Sequence, residues 1–283
     1  MRDDAVRVRG LWKRYGPVVA VAGVDLDIGR GEVFGILGPN GAGKSTTVEI
    51  LQGHRRRDGG EVAVLGEDPG SAGRAWRSRV GIVWQDESAA QELTVAETVR
   101  HFARYYPRPR DVDEVIALVG LEEKAGSRTK QLSGGQRRRL DVALGVIGSP
   151  ELLLLDEPTT GFDPVARRRF WGLIRQLADE GTTIILTTHY LDEAEALTDR
   201  LAVIAAGQVR ALGEPATLAG RAAARATVHW TEPADGTART EETDTPTRTV
   251  AELARRFDGE IPELRVSRPT LEDVYLRLIE ERA

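Results

Sequence analysis

Between residues 6 and 36 the apolar positions fall at the spacing of strands. Val24, Leu26 and Ile28 alternate with Asp25 and Asp27, the pattern of a half-buried strand. The turn "GRG" at 29–31 follows, and "EVFGIL" is a short apolar run that leads directly into "GPNGAGKST". After it "TTVEIL" takes helical spacing, and "GEVAVLG" and "RVGIVWQ" predict further strands. From about residue 86 to 146 the pattern is helical. Thr94 and Glu97 make a capping-box start, and "DVDEVIALVGL" repeats at helical spacing. Strand-like runs return in "ELLLLDE", "GTTIILTTH" and "RLAVIAAG". Between them Phe170, Leu173, Ile174 and Leu177 lie on one helical face. Strands alternating with helices predict an α/β domain with a largely parallel sheet, and 86–146 reads as an inserted helical subdomain.

The pattern changes after about Gly213. Residues 231–249, "TEPADGTARTEETDTPTRT", hold seven threonines and no large apolar side chain. They are expected to form a loop, a polar hairpin or a flexible connection. Order is predicted to return in "VAELARRF", in "PELRVS" and in "RPTLEDVYLRLIEE". In the last, Leu271, Val274, Tyr275 and Leu278 share a helical face behind a start at Thr270 and Asp273. These elements suggest a small appendage at residues 216–283, after a main domain at 1–215. Neither an internal repeat nor a run of heptads is present.

Composition narrows the classes of function. The net charge of −5 does not predict bulk nucleic-acid binding. With no cysteine in the chain, disulfides and thiolate metal sites are excluded. The start, "MRDDAVRVRG", has no apolar signal segment, and no apolar run approaches the ~20 residues of a membrane span. Any action at a membrane is therefore expected to pass through a partner.

The chemistry is concentrated in a few motifs. "GPNGAGKST" satisfies G-x-x-x-x-G-K-[ST]. The loop Gly38, Asn40, Gly41, Gly43, Lys44, Ser45 and Thr46 is expected to wrap phosphates with backbone N–H groups, aided by the positive end of the following helix. Lys44 is expected to reach the β- and γ-phosphates, and the Ser45 hydroxyl to ligate Mg²⁺. The leucine strand in "LLLLDE" delivers Asp156 and Glu157 at its carboxyl end, where parallel sheets bind ligands. Asp156 is the expected Mg²⁺ carboxylate, and Glu157 the group that orients or deprotonates the attacking water. Three residues admit two readings each. His189 ends a buried strand and contacts a γ-phosphate or is structural. Gln85 touches Mg²⁺ or the attacking water, or is a surface residue. Tyr15 stacks on a nucleobase or is an ordinary half-buried tyrosine. Of the run Arg137, Arg138 and Arg139, at least two are expected on a solvated helix face.

A second glycine-rich stretch, "QLSGGQRRRLDVAL", also opens a helix but has no lysine. The motif order Tyr15, "GPNGAGKST", Gln85, "LSGGQ", "LLLLDEPTTGFDP", His189 resembles the nucleotide-binding subunits of ABC transporters over residues 1 to about 215. The wording "LSGGQRRRLDVAL" and the tail "RPTLEDVYLRLIEE" resemble a narrower group, the ATP-binding subunits of ABC-2-type exporters of the daunorubicin-resistance kind. The resemblance implies a RecA-like P-loop core with an antiparallel β subdomain and a helical insert, plus a small α+β C-terminal appendage. It implies ATP and Mg²⁺ as ligands. It also implies two ATP-binding subunits head to tail, on the cytoplasmic face of a separate transmembrane permease. Ser133, Gly134, Gly135 and Gln136 would then close the partner subunit's site, and Asp163 in "GFDP" would cross the interface. Phe162 stands where the family more often has leucine, and Trp84 is an unusual neighbour for Gln85. An importer ATPase and a non-transport ABC ATPase are the rival readings. The single cassette and the lack of cysteine oppose the second. Glu157 and His189 oppose a P-loop protein that binds nucleotide without turnover.

Overall fold

A computed structural model describes residues 4–83 and 92–280. Trp84 and Gln85 lie outside the described residues. The chain divides into two compact units, Met1–Leu212 and Gly213–Ala283.

The first unit opens with two long strands, β1 (Asp4–Tyr15) and β2 (Val18–Gly29), paired antiparallel. The predicted alternation holds in β2, where Val24, Leu26 and Ile28 are buried and Asp25 and Asp27 exposed. Then come β3 (Val33–Leu37), α1 (Lys44–Leu51), β4 (Gly59–Val64), α2 (Arg74–Arg77) and β5 (Val80–Val83). β4 joins β1, so the antiparallel sheet has the order β2-β1-β4. The helical insert holds α3 (Val95–Ala103), α4 (Val112–Leu118) and α5 (Gly134–Val146). The predicted capping box of Thr94 and Glu97 starts α3, and Asp111 caps α4. Next are β6 (Leu152–Asp156), α6 (Pro164–Asp179), β7 (Thr183–Thr188), α7 (Leu191–Leu197), β8 (Arg200–Ala205) and β9 (Gln208–Gly213).

The main sheet has the order β5-β6-β7-β3-β8-β9, with β5 through β8 all parallel. Strands buried on both faces need no polar alternation, which is why their sequences are continuous apolar runs. The period of two divides each run between two cores. Leu153 and Leu155 of β6 join Phe170, Leu173, Ile174 and Leu177 of α6 and the insert helices. Leu152 and Leu154 join the antiparallel sheet and Val48, Ile50 and Leu51 of α1. Asp156 continues the second parity and so falls on the α1 side of the sheet.

In the second unit β10 (Ala226–Thr231) lies between β11 (Ala238–Thr243) and β12 (Arg265–Ser267), antiparallel to both. Helix α8 (Pro246–Arg256) follows β11, and α9 (Leu271–Glu280) follows β12. Val228, Trp230, Leu253 and Ile261 form a small core. The threonine-rich stretch is the polar hairpin of its three expected forms. Thr270 and Asp273 hydrogen-bond reciprocally at the start of α9.

Candidate functional site

The loop between β3 and α1 leaves the carboxyl end of a central strand, and glycine is required in it for steric reasons. A Cβ on Gly38 would lie 2.2 Å from the Ile204 carbonyl oxygen. One on Gly43, whose φ is +102°, would lie 2.3 Å from that of Ala20. β2 and β8 therefore press the loop from two sides. Asn40, Gly41 and Ser45 are exposed and Thr46 is half-buried. No side chain caps α1. Lys44 is buried, and its Nζ donates to the carbonyls of Gly38 at 2.8 Å and Pro39 at 3.1 Å. Burial pushes the Lys44 ammonium below its ordinary pKa, while Glu157 and Asp156 act in the opposite direction.

Those two acids stand at the end of β6, one strand removed from β3. The intervening strand β7 organises them. Thr187 Oγ1 donates to Asp156 Oδ1 at 2.5 Å and accepts the backbone N–H of Glu157 at 2.9 Å. Glu157 has φ of +44°, the left-handed region that a non-glycine residue occupies only at a cost. Its Oε2 lies 3.4 Å from His189 Nδ1 and 3.4 Å from Thr160 Oγ1. His189 packs on Tyr190 with ring centroids 4.1 Å apart, and the Arg167 guanidinium covers Tyr190 at 4.2 Å. The structure thus brings Lys44, Asp156, Glu157 and His189 to one end of the sheet. Tyr15 is on the antiparallel sheet, exposed, with Lys13 and Arg55 within 5.4 and 5.2 Å of its ring centroid.

The second glycine-rich stretch starts α5. Ser133 Oγ accepts from Gln136 N at 3.3 Å, and Gln136 Oε1 accepts from Ser133 N at 3.0 Å, a full capping box. A Cβ on Gly134 would meet nothing within 4 Å, so this helix start faces outward. Asp163 caps α6 by accepting from Val165 N and Ala166 N, both at 2.9 Å. Phe162 is buried edge-on against Phe170, centroids 5.7 Å apart, an aromatic contact.

One expectation is corrected. Arg137, Arg138 and Arg139 do not lie on a solvated face; all three are half-buried. Arg138 donates to the carbonyls of Asp156 and Pro158, and Arg139 to those of Val119 and Gly120. The turn after β6 and the end of α4 offer these long side chains carbonyls that charge patterning alone does not reveal. Thr187 carries no motif that marks it in the sequence. Its signal was a hydroxyl at the end of an apolar strand, but its partners depend on which strand lies beside it.

A phosphate-type loop at the start of α1 and paired acids on the next strand but one define a P-loop nucleotide hydrolase with a RecA-like core. Residues 21–160 match the family model described as ABC transporter. The Nod factor export ATP-binding protein I of Rhizobium sp. (strain N33) is 44% identical over 223 residues, 77% of this chain and 73% of that protein. The daunorubicin/doxorubicin resistance ATP-binding protein of Streptomyces peucetius is 45% identical over 214 residues, 74% of this chain and 65% of that one. Among solved structures, a component of an ABC transporter complex from Clostridium perfringens aligns with a TM-score of 0.69 at 30% identity, covering 76% of this chain and 90% of that chain. A dimeric ATP-binding cassette in a post-hydrolysis state with ADP and phosphate aligns at 0.67 and 25%, covering 74% and 98%. The chain belongs to the ABC transporter family, as one of its ATP-hydrolysing subunits. No helix among the described residues is long and apolar enough to cross a membrane.

Proposed function

We propose that this chain powers an ABC-2-type exporter through a separate transmembrane permease, with a drug, antibiotic or lipid-like cargo, and that its sites form between two ATP-binding subunits. The observation that carries the reading is a division of parts. Lys44, Asp156, Glu157 and His189 gather at one end of the sheet, while the α5 start at Ser133–Gly135 faces outward with no counterpart to Lys44. The backbone of Gly38–Thr46 cradles the phosphates, and Lys44 exchanges its loop carbonyls for β- and γ-phosphate oxygens. Glu157 accepts the proton of the attacking water, and His189, 3.4 Å from it, faces the γ-phosphate. Tyr15 offers its exposed ring to the base. Ser133, Gly134, Gly135 and Gln136 present the positive end of α5 to the partner subunit's ATP, and Asp163 borders the same interface. Ser45 and Asp156 are hard oxygen donors of the kind Mg²⁺ takes, with phosphate and water completing the shell. Bound there, Mg²⁺ would neutralise charge that builds on the phosphates in the transition state. For the permease, the chain offers a cleft of about 540 Å³ between the main sheet and the insert, lined by Trp76, Arg77, Val83, Phe102 and Tyr106 among others. The protein would then sit at the cytoplasmic face of the membrane.

Mixing two inactive variants tests the composite site. Lys44→Ala removes the phosphate-holding charge, and Ser133→Arg fills the space before α5. Each homodimer has two broken sites, whereas a mixed dimer has one whole site. ATPase activity should return on mixing, up to the fraction of mixed dimers. Circular dichroism of both variants checks folding, and ATP-dependent dimerisation is followed alongside. No recovery across a range of protein concentrations, with mixed dimers present, contradicts the arrangement.

A further inference from the structure

The arginine run after the second glycine-rich stretch belongs to no role assigned so far, and its middle member reaches the turn that holds Glu157. Arg138 stands on α5, in the second turn after the Ser133 cap. Its Nη2 donates to the Asp156 carbonyl oxygen at 2.6 Å and its Nε to that of Pro158 at 3.1 Å. Those are the residues immediately before and after Glu157. One rigid guanidinium fork therefore spans the only residue of this turn with a left-handed backbone, φ +44°. From the other side Thr187 Oγ1 accepts the Glu157 N–H. An unusual backbone persists only when its surroundings over-determine it, and here three hydrogen bonds from two elements do so. A planar guanidinium with two donors in fixed geometry suits two carbonyls at a fixed separation, whereas an ammonium is a point charge.

We infer that Arg138 is a positioning residue for Glu157, which couples the orientation of α5 to the proton-accepting group of the same chain's site. This rests on the proposed role of Glu157 as general base. The consequence is directional. The start of α5 is offered to the partner's nucleotide, and a shift of α5 is transmitted through Arg138 to the turn that holds Glu157. Each chain would then adjust its own base according to what its second glycine-rich stretch touches across the interface. Asp141, Asp156 and the wholly buried Glu193 surround the guanidinium with negative charge, which opposes the effect of its burial. Glu193 is itself held by Trp171 Nε1 at 3.1 Å, so the arginine's surroundings are fixed on that side as well.

The test compares Arg138→Met, Arg138→Lys, Glu157→Gln and the double variant Arg138→Met/Glu157→Gln in the full chain, by steady-state ATPase with ATP and Mg²⁺. Arg138→Met should lower kcat by about 10- to 100-fold, as misplacement of a reacting group by about 1 Å does, with KM for ATP changed by less than about threefold. In the Glu157→Gln background Arg138→Met should lower the residual rate no further, because the group it positions is already gone. An unchanged kcat in Arg138→Met overturns the inference. So does a parallel loss of kcat and ATP affinity, or a further full loss in the double variant, since each marks a general structural role. If Arg138→Met fails to fold by circular dichroism, Arg138→Lys decides. A loss in kcat of at least threefold supports the two-carbonyl clamp, and wild-type turnover refutes it. Full activity of Glu157→Gln is a separate result, which removes Glu157 as the base whatever Arg138 does.

Discussion

Thr187 Oγ1 holds both the Asp156 carboxylate and the Glu157 N–H, and the residue is wholly buried. In Thr187→Val the shape stays nearly the same while both partners are orphaned. Leaving a buried donor unsatisfied costs ~1–3 kcal/mol, so urea denaturation should show a loss of that order. ATPase turnover should fall by about tenfold or more, because Glu157 is less well placed. A stability loss with unchanged kcat would confine Thr187 to the fold. The placement of Lys44, Asp156 and Glu157 at one end of a parallel sheet could be read from local motifs with their own spacing, whereas that of His189 could be read only from its place at a strand end in the motif order. Thr187 and Arg138 could not, since their roles depend on neighbours far along the chain. A run of charges says nothing about which carbonyls lie beneath it.

At the scale of elements, periodicity carried further. The strands β3, β6 and β7 were visible as apolar runs because both their faces are buried, and α6 because Phe170, Leu173, Ile174 and Leu177 repeat at its period. The order of strands was not visible, because no local signal records which strand lies beside which. The threonine-rich hairpin was equally ambiguous, since an exposed edge strand such as β11 has no buried face to impose alternation. Packing between α6 and the turn before it gives a graded test. Phe170→Ala removes a fully buried ring from the core and should cost ~3–5 kcal/mol by chemical denaturation. Phe162→Leu keeps most of the volume and loses the edge contact at 5.7 Å, so a cost below ~1.5 kcal/mol is expected. Equal costs would show that the Phe162 side of the pair is the more constrained.

For the whole molecule, the two compact units imply a division of labour. Every residue assigned to nucleotide chemistry precedes Gly213, and the second unit has its own small core of Val228, Trp230, Leu253 and Ile261. A protein lacking residues 216–283 should bind ATP within about threefold of the full chain, while its dimerisation or its response to the permease changes. Calorimetric titration with ATP checks the first point and sedimentation with ATP and Mg²⁺ the second. Loss of ATP affinity in a folded truncation would mean that the second unit takes part in the site.

The sheet order also fixes a timetable for synthesis. Strand β3, which carries the phosphate loop, pairs on one side with β7 and on the other with β8, so Leu37 meets Thr188 and Val203. Gly38 likewise finds its close neighbour in Ile204. On the ribosome the loop emerges long before any of these partners exists. At about 5–20 residues per second the wait is on the order of ten seconds. Through that interval β3 is an apolar strand with two open edges, and of the two surfaces that press on the glycine loop only the one at Ala20 of β2 has been made. A nascent chain is therefore expected to grip nucleotide only after β7 and β8 have been made and have docked on either side of β3.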